Sequence, residues 1–336
     1  MKLSILDQSP IAKGATPEEA LNNTLTIADL ADRLGYTRYW VAEHHNTNGL
    51  AGASPEVLIA SIAAKTRFLK VGSGGVLLPQ YSPYKVAENF KVLSALYPGR
   101  IDLGVGNSPG GSLATRLALT DNLRKSLNDF PRQVFDLLGF LQGDLPADQP
   151  FYEVKATPFS QRLPDPWILG IRSEGSKLAA EMGTGFIYGH FINPHNGEQA
   201  LKHYREAFRP SKWLREPQAI TCIFVVCADT QGEAERLALS QDGWLLNVGK
   251  KNGDTRIPSP EEVKARTYTV NELKKISENR KRMVIGTPEK VKEQLIDLQK
   301  RYRTDEFMVI SNLYDFKAKQ HSYELLAEAF ALEKTV

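Results

Sequence analysis

The sequence predicts a closed (β/α)8 barrel, the TIM barrel of the α/β class. Short apolar segments typical of strands alternate strictly with helical segments, and eight such strands are predicted. A length of 336 residues fits eight β/α units with insertions better than an open sheet. No G-x-G-x-x-G motif follows the first predicted strand, which argues against a Rossmann dinucleotide domain. We therefore expect a single domain over residues 1–336.

The individual elements follow from apolar runs, helical spacing and turn residues. Strands are predicted at 3–6, 38–42, 69–76, 101–105, 167–169, 185–187, 219–227 and 306–310. Helices are predicted at 17–34, from 54–55 onward, and at 83–96, 119–141, 176–182, 196–208, 231–246, 288–302 and 319–332. Two stretches show neither period: 151–166, which is proline-rich, and 247–282, which is polar and lysine-rich.

Composition limits the class of protein. Hydrophobic residues make up 42% and charged residues 24%, ordinary values for a soluble globular protein, and a net charge of +3 is too small to indicate a nucleic-acid surface. No apolar run reaches the ~18 residues that a membrane span needs, and no signal-peptide core follows Met1. Cys222 and Cys227 are predicted to be reduced core residues on opposite faces of one strand, not a metal pair. We expect a cytoplasmic protein that binds neither nucleic acid nor membrane.

The predicted barrel also predicts where the active site lies, because barrel enzymes carry their sites at the carboxyl ends of the strands. Polar or glycine-rich residues follow several of the predicted strands. They are Asp7, 43–45, 74–75, 106–108, 171–176, His190 and 311–312.

The most informative of these positions is Glu43-His44-His45, which ends the second predicted strand. Adjacent strand residues point to opposite faces, so one histidine can face a cavity while the other supports it. Histidine titrates near neutral pH and is therefore suited to proton transfer. The alternative is a pair of partly buried histidines whose nitrogens bond to backbone carbonyls.

Glycines and hydroxyls mark the next two positions. The glycines around Gly74-Gly75 interrupt the third predicted strand, which indicates either a barrel bulge or a flat molecule against the backbone. Ser173, Gly175 and Ser176 precede or open a helix, where backbone N–H groups can bind an anion. A serine cap of that helix without any ligand explains the same residues.

In combination, the motifs at 42–45, 72–76, 86–88, 98–104 and 286–289 resemble those of the bacterial-luciferase-like flavin-dependent monooxygenase family over nearly the whole chain. The resemblance implies a barrel with an insertion after the seventh strand, so that 247–282 would be a mobile lid. It implies reduced FMN as co-substrate, O2, and oxidation of a small organic substrate through a C4a-hydroperoxyflavin. A separate NAD(P)H:flavin reductase and a homodimer formed by the helices near 54–65 and 83–96 are implied as partners.

The resemblance also assigns roles to residues of the second and third strands. His44 matches the histidine that handles protons near flavin C4a, and Glu43 and His45 flank it as further catalytic candidates. Gly74-Gly75 matches a non-proline cis peptide that presses on the flavin ring. Glu88 matches a buried carboxylate beneath that bulge.

The flavin phosphate is assigned to Ser173, Gly175 and Ser176 by the same resemblance. Asn107 is also a cofactor-binding candidate, but many relatives have an arginine at its position. Asparagine brings no charge, so either the phosphate binds more weakly or Arg172 or Arg100 supplies the charge, and Arg100 is expected to form a structural ion pair.

Three other functions remain open. A relative that uses the deazaflavin coenzyme F420 would transfer hydride without oxygen, and a non-catalytic flavin-binding protein would tolerate the loss of His44. A barrel metallohydrolase would need His44, His45, His190 and His195 to converge on a metal, whereas adjacent histidines diverge. Three aromatic residues are candidates for an apolar substrate pocket or for plain packing: Tyr81, Phe191 and Trp244.

Overall fold

The computed structural model describes residues 1–248 and 253–333. Its strands are β1 (Lys2–Asp7), β2 (Arg38–Val41), β3 (Lys70–Ser73), β4 (Ile101–Val105), β5 (Asp165–Gly170), β6 (Gly185–Gly189), β7 (Ala219–Cys227), β8 (Met283–Gly286) and β9 (Glu306–Ile310). Its helices are α1 (Pro17–Leu34), α2 (Pro55–Lys65), α3 (Pro83–Leu96), α4 (Leu113–Leu119), α5 (Phe130–Gln142), α6 (Ser173–Met182), α7 (Gly197–Ala207), α8 (Gln231–Asn247), α9 (Pro260–Ala265), α10 (Val270–Arg280), α11 (Pro288–Tyr302) and α12 (Phe316–Ala329).

Eight parallel strands close into a barrel, which confirms the predicted fold class. Strands β1 to β7 pair in sequence order, β7 pairs with β9, and β9 pairs back with β1. The ninth strand, β8, pairs only with Phe224–Cys227, beyond the part of β7 that pairs with β6. It is therefore not one of the eight barrel strands; it extends the sheet beside β7 at the carboxyl end of the barrel.

Side chains alternate between the barrel interior and the surrounding helices, as strand geometry requires. On β2, Trp40 belongs to the interior cluster, whereas Tyr39 and Val41 pack against the helices. The amino end of the interior is filled by the buried guanidinium of Arg38. It donates to Asp102 Oδ2 at 2.7 Å and to Glu306 Oε1 at 3.0 Å, so the amino end of the barrel interior holds a buried ion network.

The single long helix predicted at 119–141 is wrong. Two helices, α4 and α5, replace it, because Asp121 and Asn122 adopt positive φ angles of 49° and 62° that a helix cannot continue through. Helix α5 then begins with Pro131 in its first turn.

The expectation of an irregular stretch at 247–282 is also wrong for the described residues. Helices α9 and α10 lie there, and each begins with a capping box, Ser259 with Glu262 and Thr269 with Glu272. Both capping boxes are present in the sequence as a serine or threonine followed three residues later by a glutamate. The polar composition of the stretch nevertheless favoured an irregular structure. Residues 249–252 of the predicted lid lie outside the described part of the chain.

Among the described residues, no helix combines the length and the apolar character that crossing a bilayer requires.

Candidate active site

His44 lies at the carboxyl end of β2 on the interior face. Trp40 and Ala42 belong to the interior cluster, and His44 is the next residue on that face. Its backbone N–H donates to the Gly52 carbonyl at 2.8 Å, which fixes the loop. Its Nδ1 atom is buried and has no hydrogen-bond partner among the described residues.

Burial determines the charge of this imidazole. Desolvation, and secondarily the charge of His45, lowers the pKa of His44 to about 4. The ring is therefore neutral near pH 7 and carries a nitrogen that can accept a proton. The alternative of a histidine satisfied by backbone carbonyls does not describe Nδ1.

Glu43 faces away from His44 and forms a hydrogen-bonded group with His45 and Tyr81. Its Oε1 lies 2.6 Å from His45 Nε2 and accepts from the Tyr81 hydroxyl at 2.5 Å. Its Oε2 accepts from the Leu77 backbone N–H at 2.9 Å. The Glu43 side chain is 1% exposed, so all of these bonds form away from water. These contacts make Glu43 a support for the site, not a group directed at a ligand.

The peptide bond between Gly74 and Gly75 is cis, as the sequence resemblance implied. Gly74, Gly75 and Gly106 lie at the ends of β3 and β4 and present backbone without side chains. A Cβ on Gly106 would meet nothing within 4 Å, so that position borders open space. Cβ atoms on Gly74 and Gly75 would instead meet Leu6 Cδ1 at 2.4 Å and the Gly104 carbonyl oxygen at 2.8 Å, so packing requires glycine at both positions. The open space at Gly106, the glycine backbone of the cis peptide and the unpartnered imidazole of His44 together fit a planar ring such as that of a flavin.

The expected position of Glu88 is wrong. Its carboxylate lies near the surface of α3, 3.4 Å from Lys85 Nζ, and hydrogen bonding with Tyr84 lowers its pKa. It has no contact with the Gly74–Gly75 peptide, because residue 88 lies on a half-exposed part of the helix. Glu43 holds the segment after the cis peptide instead, through Leu77.

The first turn of α6 contains the predicted phosphate residues. The cap position is Arg172, which gives no side-chain cap, so the serine-cap alternative is wrong. Ser173 is half-buried at the first helical position, with the free N–H groups of the turn. Ser176 is fully buried and its hydroxyl donates to the Ser173 carbonyl at 3.0 Å, so that proton is not directed at a ligand. A Cβ on Gly175 would approach Gly170 Cα at 3.0 Å, so glycine permits close helix–strand packing.

Two further residues bear on the phosphate. Asn107 is exposed just after β4. Arg100 donates to the backbone carbonyls of Leu69, Ala63 and Thr66 and to the Thr66 hydroxyl, and the charge of Asp32 also acts on its pKa, so its guanidinium has a structural role and is not free for a phosphate.

The histidines of the metallohydrolase alternative do not converge. His190 faces outward from β6, where its Nδ1 lies 2.9 Å from the Tyr302 hydroxyl on α11. His195 is exposed in the following loop. Within the described chain, no three histidine, cysteine or acidic side chains are grouped as metal ligands.

The insertion covers the mouth of the barrel. Trp244 of α8 and the fully buried Ile257 belong to the interior cluster, and Phe191 packs against Phe224 beneath them. Ile257 also exchanges backbone hydrogen bonds of 2.9 Å with the loop after β1, at residues 11 and 13. Of the three candidate aromatic residues, Trp244 and Phe191 thus lie at the mouth, and Tyr81 bonds to Glu43.

Sequence reasoning missed Gln8, and it missed that Asn312, one of the residues at 311–312, pairs with it. Both are buried and hydrogen-bonded to each other at 2.7 Å. The alternation of side chains along β1 could have indicated Gln8, since Gln8 follows Ser4 and Leu6 on the inward face of that strand.

The chain belongs to the luciferase-like monooxygenase family, whose family model matches residues 1–305. It is 56% identical over 328 residues to the uncharacterised protein YceB of Bacillus subtilis, covering 98% of this chain and 99% of that one. It is 37% identical over 339 residues to the N-acetyl-S-alkylcysteine monooxygenase of the same organism, covering 99% of each chain.

Solved structures agree with this family. The structure of apo-MsnO8 superposes with a TM-score of 0.92 at 38% identity over 99% of each chain. More distant structures share the fold alone. They include the FMN complex of the oxygenating constituent of 3,6-diketocamphane monooxygenase from Pseudomonas putida (TM-score 0.69, 19% identity, all of both chains) and an F420-dependent secondary alcohol dehydrogenase (TM-score 0.65, 17% identity, 99% of both chains).

Proposed function

We propose that this protein is a monooxygenase that uses reduced FMN and O2 to oxidise a small organic substrate. The observation that carries the proposal is the unpartnered, neutral imidazole of His44 beside the glycine surface at Gly74–Gly75. When bound, reduced FMN supplies the activation of O2. The chain supplies orientation, proton handling and exclusion of water.

His44 is the proton-handling residue of this proposal. Its Nδ1 is buried and has no described partner, so a ligand group that donates to its lone pair, or that accepts from it when it carries the proton, would satisfy this nitrogen. A pKa of about 4 keeps the ring neutral over the physiological range, which allows it to accept a proton at Nδ1. Glu43 and His45 hold the strand end from behind, as their mutual 2.6 Å contact indicates.

The first turn of α6 would bind the flavin phosphate. Its free N–H groups and positive dipole end favour an anion, with Ser173 in the turn and Arg172 beside it. Arg172 is exposed and makes no hydrogen bond or ion pair with the described residues. It can therefore supply the charge that Asn107 lacks.

The insertion would keep the reaction dry. Trp244 and Ile257 cover the mouth with apolar surface. We expect residues 253–282 to open for the cofactor and substrate and then to close again. Because water shortens the life of a reactive intermediate in the site, closure would increase the share of O2 that reacts with the substrate.

Two partners complete the proposal. A separate NAD(P)H:flavin reductase would provide the reduced FMN, which is consistent with the absence of a G-x-G-x-x-G motif from the sequence. A second copy of the chain would cover the exposed apolar side chains on and beside α2 and α3: Val57, Phe68, Val92 and Leu96.

The test is an anaerobic titration with reduced FMN, oxidised FMN and coenzyme F420, followed by turnover under ¹⁸O2. N-acetyl-S-methylcysteine is the first substrate to try, because a relative at 37% identity is named for that class. We expect reduced FMN to bind best and one ¹⁸O atom to enter the product. Preferred binding of F420 would support hydride transfer instead, and flavin binding with no oxidation of any substrate tried would support a flavin-binding protein.

A further inference from the structure

Two amide side chains form a pair at the ends of β9 and β1, next to the strand that carries His44. Asn312 Nδ2 donates to Gln8 Oε1 at 2.7 Å, and the two residues are 1% and 5% exposed. Within residues 1–248 and 253–333, neither Asn312 Oδ1 nor Gln8 Nε2 has another partner. The pair thus presents one free acceptor and one free donor.

Both side chains face the interior of the barrel. Asp7, which precedes Gln8, accepts a hydrogen bond from helix α12 on the outside. On β9, Met308 and Ile310 belong to the interior cluster, and Asn312 is the next residue on that face. Because consecutive residues of an extended chain point to opposite faces, Gln8 and Asn312 point inward.

The strand register places the pair beside His44. Leu6 of β1 pairs with Trp40 of β2. Gln8 and Ala42 lie two residues further along the same faces of these two strands. His44 is the next inward residue after Ala42. The amide pair therefore lies on the neighbouring strands, one inward position below the imidazole.

On the basis of the proposed function, we infer that Gln8 and Asn312 recognise the pyrimidinedione edge of the flavin. That edge carries an N3–H donor between two carbonyl acceptors, the complement of a free amide oxygen beside a free amide N–H. Flavin C4a, the carbon expected near His44, is bonded to the carbon of one of these carbonyls. An edge recognised by this pair would thus lie next to His44.

Burial makes the pair selective. A buried acceptor without a partner favours a ligand that donates to it and disfavours one that cannot. Deazaflavins carry the same edge, so the inference applies to either cofactor. A trapped water that only fills the space is the competing explanation.

The experiment compares reduced FMN with reduced N3-methyl-FMN, which lacks the N3–H donor. Anaerobic titrations give the dissociation constant of each for the wild-type protein, Asn312→Leu and Gln8→Met. Gln133→Leu is the matched control, since Gln133 is a buried amide with an unpartnered Oε1 on the outer helix α5. Circular dichroism verifies that each variant folds. If Asn312→Leu does not, Gln8→Met is the test, because it removes the donor to a flavin carbonyl and should weaken the binding of FMN and of N3-methyl-FMN alike relative to Gln133→Leu.

We expect the wild-type protein and Gln133→Leu to bind N3-methyl-FMN about 10- to 100-fold more weakly than FMN. In Asn312→Leu that ratio should fall close to one. Equal binding of both flavins by the wild-type protein, or an unchanged ratio in Asn312→Leu, would overturn the inference and favour the water. Failure of the wild-type protein to bind any flavin would instead overturn the proposed function, so the two failures are distinguishable.

Discussion

At the scale of the residue, the site depends on which face each side chain of 43–45 takes. His44 faces the barrel and has an unpartnered nitrogen, whereas Glu43 faces the loop at Leu77 and Tyr81. The sequence motif predicted a role in the site for all three residues, which stays a prediction. It did not predict that His44 faces the barrel while Glu43 bonds to the loop, because the contacts of Glu43 come from a segment 34 to 38 positions away.

Removing the Glu43 carboxylate should destabilise the protein. Glu43→Ala leaves the Leu77 N–H, the Tyr81 hydroxyl and His45 without their buried acceptor, which we expect to cost about 3–5 kcal/mol. Urea unfolding at neutral pH measures the loss. Glu174→Ala, at an exposed position of α6, should change the stability by less than ~0.5 kcal/mol. Equal stability of the two variants would show that the Glu43 contacts are not structural.

The lowered pKa of His44 predicts a pH dependence of stability. Because the folded pKa is about 4 and the unfolded value is 6.5, the unfolded chain binds more protons between these values, and stability falls as pH is lowered through that window. Between pH 7.5 and 5 we expect His44 to account for about 2 kcal/mol of the loss. Urea unfolding of His44→Gln should show a loss smaller by that amount. The exposed His195→Gln should keep the wild-type dependence, and identical curves for all three proteins would contradict the assignment.

At the scale of the element, the sequence predicted best where packing and period agree. The bounds of α1, α3, β4, β7, α11 and β9 were predicted as the structure has them. The break at 120–129 was missed because apolar residues on both sides continue a helical period, and only local backbone geometry interrupts it. β8 was missed because a strand of four residues in a polar stretch gives almost no periodic signal.

The anchor of the insertion is the ion pair between α10 and α8. Arg280 donates to Asp242 at 2.7 and 2.9 Å and also to Glu235, and Asp242 is 1% exposed. Burial raises the pKa of Asp242, and Arg280 compensates its charge at close range. The insertion is therefore tied to the barrel at its carboxyl-terminal side as well as at Ile257.

Breaking this anchor should loosen the insertion and leave the barrel intact. Arg280→Met leaves Asp242 buried without its cation, so we expect faster amide hydrogen exchange over 253–282 and unchanged exchange in β1 to β6. Lys281→Met, which removes only an exposed pair with Glu278, is the control. Exchange followed by mass spectrometry gives both profiles, and equal exchange in the two variants would contradict the role of the anchor.

At the scale of the whole molecule, the barrel brings together residues that lie far apart in the sequence. His44, the Gly74–Gly75 peptide, the start of α6 and Asn312 follow four different strands and meet at one mouth. The fold could be predicted from eight alternating segments. The position of the Glu88 side chain could not be predicted, because its place in the helix alone does not tell which face of α3 is buried.

The exposed apolar face on and beside α2 and α3 predicts self-association. Val57 and Leu96 are each 62% exposed on neighbouring helices, and a contiguous exposed apolar patch is typical of a protein–protein interface. We expect a dimer by light scattering after size exclusion, and a monomer for Val57→Lys combined with Leu96→Lys. Val270→Lys, on the exposed face of α10, is the control. A wild-type monomer at high concentration would contradict the dimer.

The measurement that tests the central claim most directly is the rate of hydrogen peroxide release after reduced FMN, bound anaerobically, is mixed with O2. The account predicts that the wild-type protein binds reduced FMN and releases peroxide far more slowly than free reduced FMN does. It predicts that His44→Ala still binds the flavin and releases peroxide rapidly, because the proton-handling imidazole is gone. Release at the rate of free flavin from the wild-type protein, or equal rates with and without His44, would contradict the claim.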